Sequence, residues 1–567
     1  MVQHPFVNRL GILLSLTVIL LMVACRGEDG ESVRETPARI WEPYNDSAEV
    51  AGNAEHPNPR MRYKLIQSRV WDKNDTFREL FGEAMQLKPE RYEELRPMIL
   101  GSDIPALQRL VREEALTYEE LARFYLYRIY RYELDSTTTL HTVLALNPEL
   151  IREARARDYV RRTLPDEPRH PIFGIPILLK DNIGMEGMPT TAGAIALKDN
   201  RTGDAYIVKR LRQNGALLMG KVNLSEWAYY FCDGCPVGYS AMGGQTLNPY
   251  GRRVYETGGS SSGSGTAVAA GYAVAAVGTE TSGSILSPSG QNSVTGLKPT
   301  VGLLGRSGIV PISGTLDTPG PMARNVTDAG ILLAAMTGFD PDDVKSTRFE
   351  FPTAAFIPSD SALSNKRLGV LKPLLESDSL YRQAVAHLKA AGAEIVSLEP
   401  EEVRLEGFLQ LLNADMRLDL PAYLSQWSGD SVLVKDVADV VAYNLQDSLL
   451  RAPYGQARLE GILSDTTAAV SVEEIKAKLK ATGRRFFDGP WQAHKLDAVL
   501  SVNNYHAGHA AVAEYPAVSV PMGYRADGEP ANLTWIAKPW QERQLLNMAW
   551  AFERLGPWRK MPEAYKE

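Results

Sequence analysis

The sequence predicts an α/β fold: a mixed central β-sheet covered by helices, preceded by an N-terminal helical extension. Three observations carry this expectation. Beyond Lys180, short apolar runs alternate with helical segments, the pattern of strands and their covering helices. Apolar residues fill 44% of the 567 positions, enough for a large core. Glycine and serine crowd positions 258–265 and 279–293 around an Ala/Val-rich run, which is too apolar for a flexible linker.

Residues 1–25 read as an export signal. Arg9 leads into an apolar stretch from Leu10 to Val23, shorter than the roughly 20 residues a membrane-spanning helix needs, and Ala24 and Cys25 follow it. The pattern resembles a bacterial lipoprotein signal with Cys25 as the lipidated residue. It implies an exported lipoprotein, periplasmic or on the cell surface, held to the membrane by its lipid anchor. Residues 26–60, rich in Glu, Asp, Gly, Pro and Asn, read as a flexible tether. Residues 61–100 are expected to form an N-terminal helical subdomain, and residues 101–560 the catalytic domain.

Within that domain, amphipathic helices are expected over 106–112, 116–130 and 150–160, before an apolar strand that ends at Lys180. A helix over 206–212 and a strand over 216–219 follow. The Ala/Val run at 266–277 is long enough for about three helical turns. A helix at 327–336, a strand at 368–371, a helix at 380–391 and a strand at 394–398 continue the alternation. Residues 400–490 are helix-rich and are expected to shape the substrate entrance. Strands at 497–502, 517–521 and 533–537 and a helix at 542–555 complete the chain.

The composition also excludes partners and cofactors. A net charge of −7 lacks the basic footprint of a nucleic-acid binder. His506 and His509 stand three apart with no flanking Cys or Glu, so no metal site is expected. No cofactor is implied.

The Gly/Ser stretches point to hydrolytic chemistry. Glycines leave backbone N–H groups free to face a developing negative charge, and serines offer a nucleophile and a proton relay. A serine hydroxyl attacks poorly until a base takes its proton. One of the eight histidines is the usual candidate, and a distant one would serve. Lys180, at the end of an apolar strand, is another, because burial lowers a lysine's pKa toward the range of a proton acceptor.

The motifs GIPILLKDN from Gly174, GGSSSG from Gly258, GTETSGSI from Gly278, GLKPT from Gly296 and DTPGPMAR from Asp317, with Asp328 beyond, closely resemble the amidase signature family. The likeness covers roughly residues 100–555. GGQTLNP from Gly243 makes it nearest to bacterial peptide amidases. The resemblance implies the amidase signature fold and an amide hydrolase working through an acyl-enzyme on a peptide or small-molecule amide. By the same resemblance, Ser284 matches the nucleophile, Ser260 the bridging serine held by a cis peptide bond, and Lys180 the base. Thr281, Ser282, Gly283 and Ser284 match the oxyanion-hole loop, and Ser261 a supporting position. Many members carry arginine two residues after the nucleophile; Leu286 stands there in this chain, which suits a neutral amide.

Alternatives remain. Fatty-acid or aryl amides and esters are cleaved on the same fold, and a surface lipoprotein can keep the fold without turnover. GSSSG from Gly259 also fits the G-x-S-x-G elbow, which would make Ser261 a nucleophile served by a distant histidine. Cys232 and Cys235 read as a local disulfide or as two free thiols.

Overall fold

The computed structural model describes residues 39–349, 351 and 361–567. The signal, Cys25 and the first part of the tether lie outside these residues. Trp41–Glu567 form one compact unit.

Part of the expected tether belongs to that unit. Trp41 is buried and lies under the Lys73 ammonium at 4.6 Å, and Asn53 Nδ2 donates to Met61 O (3.0 Å), so residues 41–60 pack against the body. A large aromatic ring with a cation to face overrides a polar composition. Two helices follow, α1 (Lys73–Ala84) and α2 (Pro89–Leu100), the first capped by Asp72, whose carboxylate accepts from Asn74 N. Residues 65–72, expected within the helical pattern, are irregular. The helix α3 (Tyr118–Glu133) starts with a full capping box, Thr117 and Glu120.

Eleven strands build the sheet. In chain order they are β1 (Val143–Leu146), β2 (Pro176–Lys180), β3 (Leu217–Val222), β4 (Ala275–Glu280), β5 (Thr295–Lys298), β6 (Thr318–Ala323), β7 (Arg367–Leu371), β8 (Glu394–Leu398), β9 (Ala498–Val502), β10 (Ala517–Tyr524) and β11 (Pro530–Ile536). Their order across the sheet is β1-β3-β2-β4-β6-β5-β10-β11-β9-β7-β8. β2 runs parallel to β3 and β4, whereas β4 to β6 and β5 to β10 are antiparallel, so the sheet is mixed as expected.

The Ala/Val run corrects the sequence reading. It is not one helix: α4 (Ser262–Ala269) ends, the chain turns at Gly271 (φ +71°), and β4 begins at Ala275. A short buried apolar run reads alike as helix or central strand, and only neighbours decide. Here the neighbour is Arg128, wholly buried on α3, which donates to Ala270 O (2.9 Å) and Gly271 O (3.0 Å) and pins the turn. Arg324 does similar service, donating to Leu100 O (2.8 Å) and Ser102 O (3.0 Å) to tie α2 to the sheet. Asp328 accepts from Ile104 N (2.7 Å).

The remaining helices that matter for the site are α5 (Leu286–Gln291), α6 (Phe408–Gln426), α7 (Ala469–His494) and α8 (Ala507–Ala513). α6 packs on α7 over an apolar cluster that includes Leu411, Leu412 and Leu479.

Candidate active site

β2 and β4 are parallel with Leu179 opposite Val277, so both chains leave the sheet at the same edge. Ligand sites in open α/β sheets gather at such carboxyl ends. Lys180 is the last residue of β2 and wholly buried. Its Nζ lies 2.8 Å from Ser260 Oγ and donates to Thr279 Oγ1 (2.8 Å) and Thr279 O (3.2 Å). Burial pushes Lys180 down to about 7, while Asp317 and Glu280 push back. A large share of the free amine is therefore present at neutral pH.

Ser260 sits in the turn before α4, and the Gly259–Ser260 peptide bond is cis. Its carbonyl accepts from Ser225 N (3.0 Å). Ser261 joins the turn to β4 twice over: its Oγ donates to Thr279 O (3.1 Å) and accepts from Thr279 N (3.2 Å). Ser261 N donates to Ser284 O (3.1 Å), bringing the third serine to the same place. The elbow alternative for Ser261 fails on this geometry. Its hydroxyl is spent on backbone, no described histidine bonds to it, and no strand leads into it.

Thr281, Ser282, Gly283 and Ser284 form the loop between β4 and α5. Gly283 takes φ +93°, which a side chain would resist. The loop is braced at both ends. Glu280 Oε2 accepts from Ile285 N (2.7 Å) and Leu286 N (3.0 Å), and Thr281 Oγ1 donates to Asp317 Oδ1 (2.5 Å). The other oxygen of Asp317 accepts from Ile312 N (2.8 Å) and Ser313 N (2.9 Å). Burial raises the Asp317 pKa against these hydrogen bonds.

The chain belongs to the amidase family. The Amidase family model matches residues 120–546. A probable amidase of Arabidopsis thaliana is 35% identical over 468 residues, 80% of this chain and 89% of that protein. Among solved structures, an amidase family protein from Bacillus anthracis is 34% identical at a TM-score of 0.83, covering 88% of this chain and 99% of that one. The peptide amidase of Stenotrophomonas maltophilia is 36% identical at a TM-score of 0.75, covering 82% and 98%. This amidase is thus a hydrolase of C–N amide bonds with the amidase signature fold.

Three polar residues of the amidase site carried no role in the sequence reading. Thr279 is the hub that holds Lys180, and Asn182 Nδ2 also donates to its Oγ1 (3.0 Å). Asp317 is the anchor of the loop. All three lie inside the family motifs. Behind β2, Asp181 and Lys221 form a wholly buried ion pair (3.0 Å).

A cavity of about 350 Å³ opens from Asn182, Thr279 and Thr281. Its far lining comes from the loop around Val310 and from Asp419, Tyr423 and Trp427 on and just beyond α6. Cys232 and Cys235 form a disulfide with Cα atoms 5.8 Å apart, inside the apolar cluster that seats α6.

Proposed function

We propose that this amidase cleaves peptide C-terminal amides and related neutral amides through an acyl-enzyme on Ser284, with Ser260 as relay and Lys180 as base. The observation that carries this reading is the placement of Lys180 Nζ, buried, depressed to about 7 and 2.8 Å from Ser260 Oγ. The free amine has two N–H bonds to give, and Thr279 Oγ1 and O accept both. Its lone pair is left facing Ser260.

The proton path follows. Lys180 takes the Ser260 proton, Ser260 takes the Ser284 proton, and Ser284 Oγ bonds to the amide carbon. The tetrahedral oxyanion is received by loop amides; among the described residues, the N–H groups of Ser282, Gly283 and Ser284 meet no acceptor. Such donors are worth roughly 3 to 4 kcal/mol each. The C–N bond then breaks, the proton returns through Ser260 to the leaving nitrogen, and water hydrolyses the ester by the same route.

Similarity to the Stenotrophomonas maltophilia peptide amidase supports the substrate class. The test is release of ammonia from amide-capped dipeptides, with a rapid-quench mass spectrum of the protein. An adduct on Ser284 with the mass of the acyl group, absent from Ser284→Ala, is expected. Activity persisting in Ser284→Ala would overturn the mechanism, and fatty or aryl amides turning over instead would overturn only the substrate.

We also infer that Cys25 anchors the enzyme outside the cytoplasm, a location in keeping with the Cys232–Cys235 disulfide. Membrane fractionation of wild type against Cys25→Ser tests this, the variant being expected in the soluble fraction.

A further inference from the structure

The charges around the catalytic cavity are unbalanced. Four aspartates line it, Asp317, Asp342, Asp343 and Asp419, against one arginine, Arg306. That arginine is spent: Nε and Nη2 donate to the two oxygens of Asp343 (2.7 and 2.5 Å), and Nη1 donates to Gly314 O (2.7 Å). Asp317 is saturated by Thr281, Ile312 and Ser313. Nearby Asp415 has Lys476 at 3.4 Å and Ser313 Oγ at 2.5 Å.

Asp342 is exposed, and Asp419 differs from Asp317, Asp343 and Asp415. It is half-buried, and its one hydrogen bond comes from Gly314 N to Oδ2 (2.6 Å). No lysine, arginine or histidine among the described residues forms an ion pair with it. Two further atoms on the same lining lack partners: Asn182 Oδ1, on a residue 3% exposed, and Ser307 Oγ, on a residue 9% exposed. Both can accept, and burying an acceptor without a donor is costly. The cavity is short of donors and of positive charge.

We propose that the cavity selects amides that also carry an ammonium group, a free peptide N-terminus being the simplest, and that Asp419 is the residue that pairs with it. The inference rests on the amidase reading above and names its substrate class more narrowly. The scissile amide is neutral, and the charge sits elsewhere on the substrate. Burial, with Asp415 and Asp317 adding repulsion, lifts Asp419 to about 6, against the Gly314 hydrogen bond and Arg306, so it is mainly a carboxylate at pH 7.

The test compares glycyl-leucinamide with propionyl-leucinamide, which differ by an ammonium in place of a methyl group, at pH 7. A charge-assisted contact predicts roughly a ten-fold higher kcat/KM for the glycyl compound. In Asp419→Asn the ratio is expected to fall toward one, and in Asp419→Lys below one, with malonyl-leucinamide now favoured. A ratio needs no correction for misfolded protein. Calorimetric binding of the same pair to Ser284→Ala gives the ratio without turnover, so loss of the peptide-amide reading is distinguishable from loss of charge selection. Equal binding of the two compounds by Ser284→Ala, or a ratio unmoved in Asp419→Asn, would overturn the proposal.

Discussion

The two sides of the cavity are built differently. On the sheet side the cavity meets Thr279, and behind it Lys180, Ser260 and Ser261 are buried, their side chains bonded to one another or to Thr279. On the α6 side, Asp419 and Trp427 are half-buried, Gln426 is exposed, and the helix carries Leu418 at 71% exposure. A buried, saturated network fixes the position and proton affinity of each group, because any displacement strands a polar atom. A half-exposed wall can change residue by residue at little cost to stability. On the proposed mechanism, the chemistry lies on the sheet and the selectivity on a helix laid over it.

The sharpest way to break this contrast is to alter the proposed base. Lys180→Arg keeps the charge but cannot give up its proton, so kcat/KM should fall by about 10³-fold or more. In the wild type, kcat/KM should rise as pH rises through about 7, because the active form is the neutral amine. Lys180→Arg should lose that limb, and a limb surviving in the variant would assign it to another group.

A smaller effect is expected from Thr279→Val, which removes one acceptor of Lys180 and leaves Thr279 O in place. A loss of roughly ten-fold in kcat/KM is expected from one such bond. Losing an acceptor disfavours the charged lysine, so the limb of the pH profile should move to lower pH. A purely structural defect would lower the rate without moving it.

On the other wall, Trp427→Ala should raise KM by about three- to ten-fold for a bulky amide, through lost apolar contact, with kcat nearly unchanged. If kcat fell instead, the wall would be part of the chemistry. Least of all, Cys232→Ser with Cys235→Ser should leave kcat within two-fold of wild type and cost about 2 kcal/mol of stability, as expected for closing so short a loop. Thermal unfolding with and without reductant reads that difference.

Much of this was legible beforehand. The motifs around Lys180, Ser260 and Ser284 stand in sequence order with their own glycines, and the structure brings all three to one sheet edge. The boundaries of β7 and β8 were legible too, since each alternates with a clear helix. Legibility ended where a residue's role depends on a distant partner. Asp317 and Arg324 sit in one motif, yet one braces the loop after β4 and the other a helix end. Residues 41–60 looked like a tether because nothing local says that Trp41 meets Lys73.

The sequence by itself determined the family, through its ordered motifs, and the α/β architecture, through apolar periodicity; the candidate reacting side chains followed from the family likeness of those motifs. Only the tertiary structure decided that the Ala/Val run splits at Gly271, that Thr279 holds Lys180, and that Asp419 faces the cavity unpaired. The reason is physical. Desolvation, hydrogen-bond saturation and charge balance are sums over neighbours in space, and those neighbours come from more than 200 residues of chain, from Lys180 to Asp419.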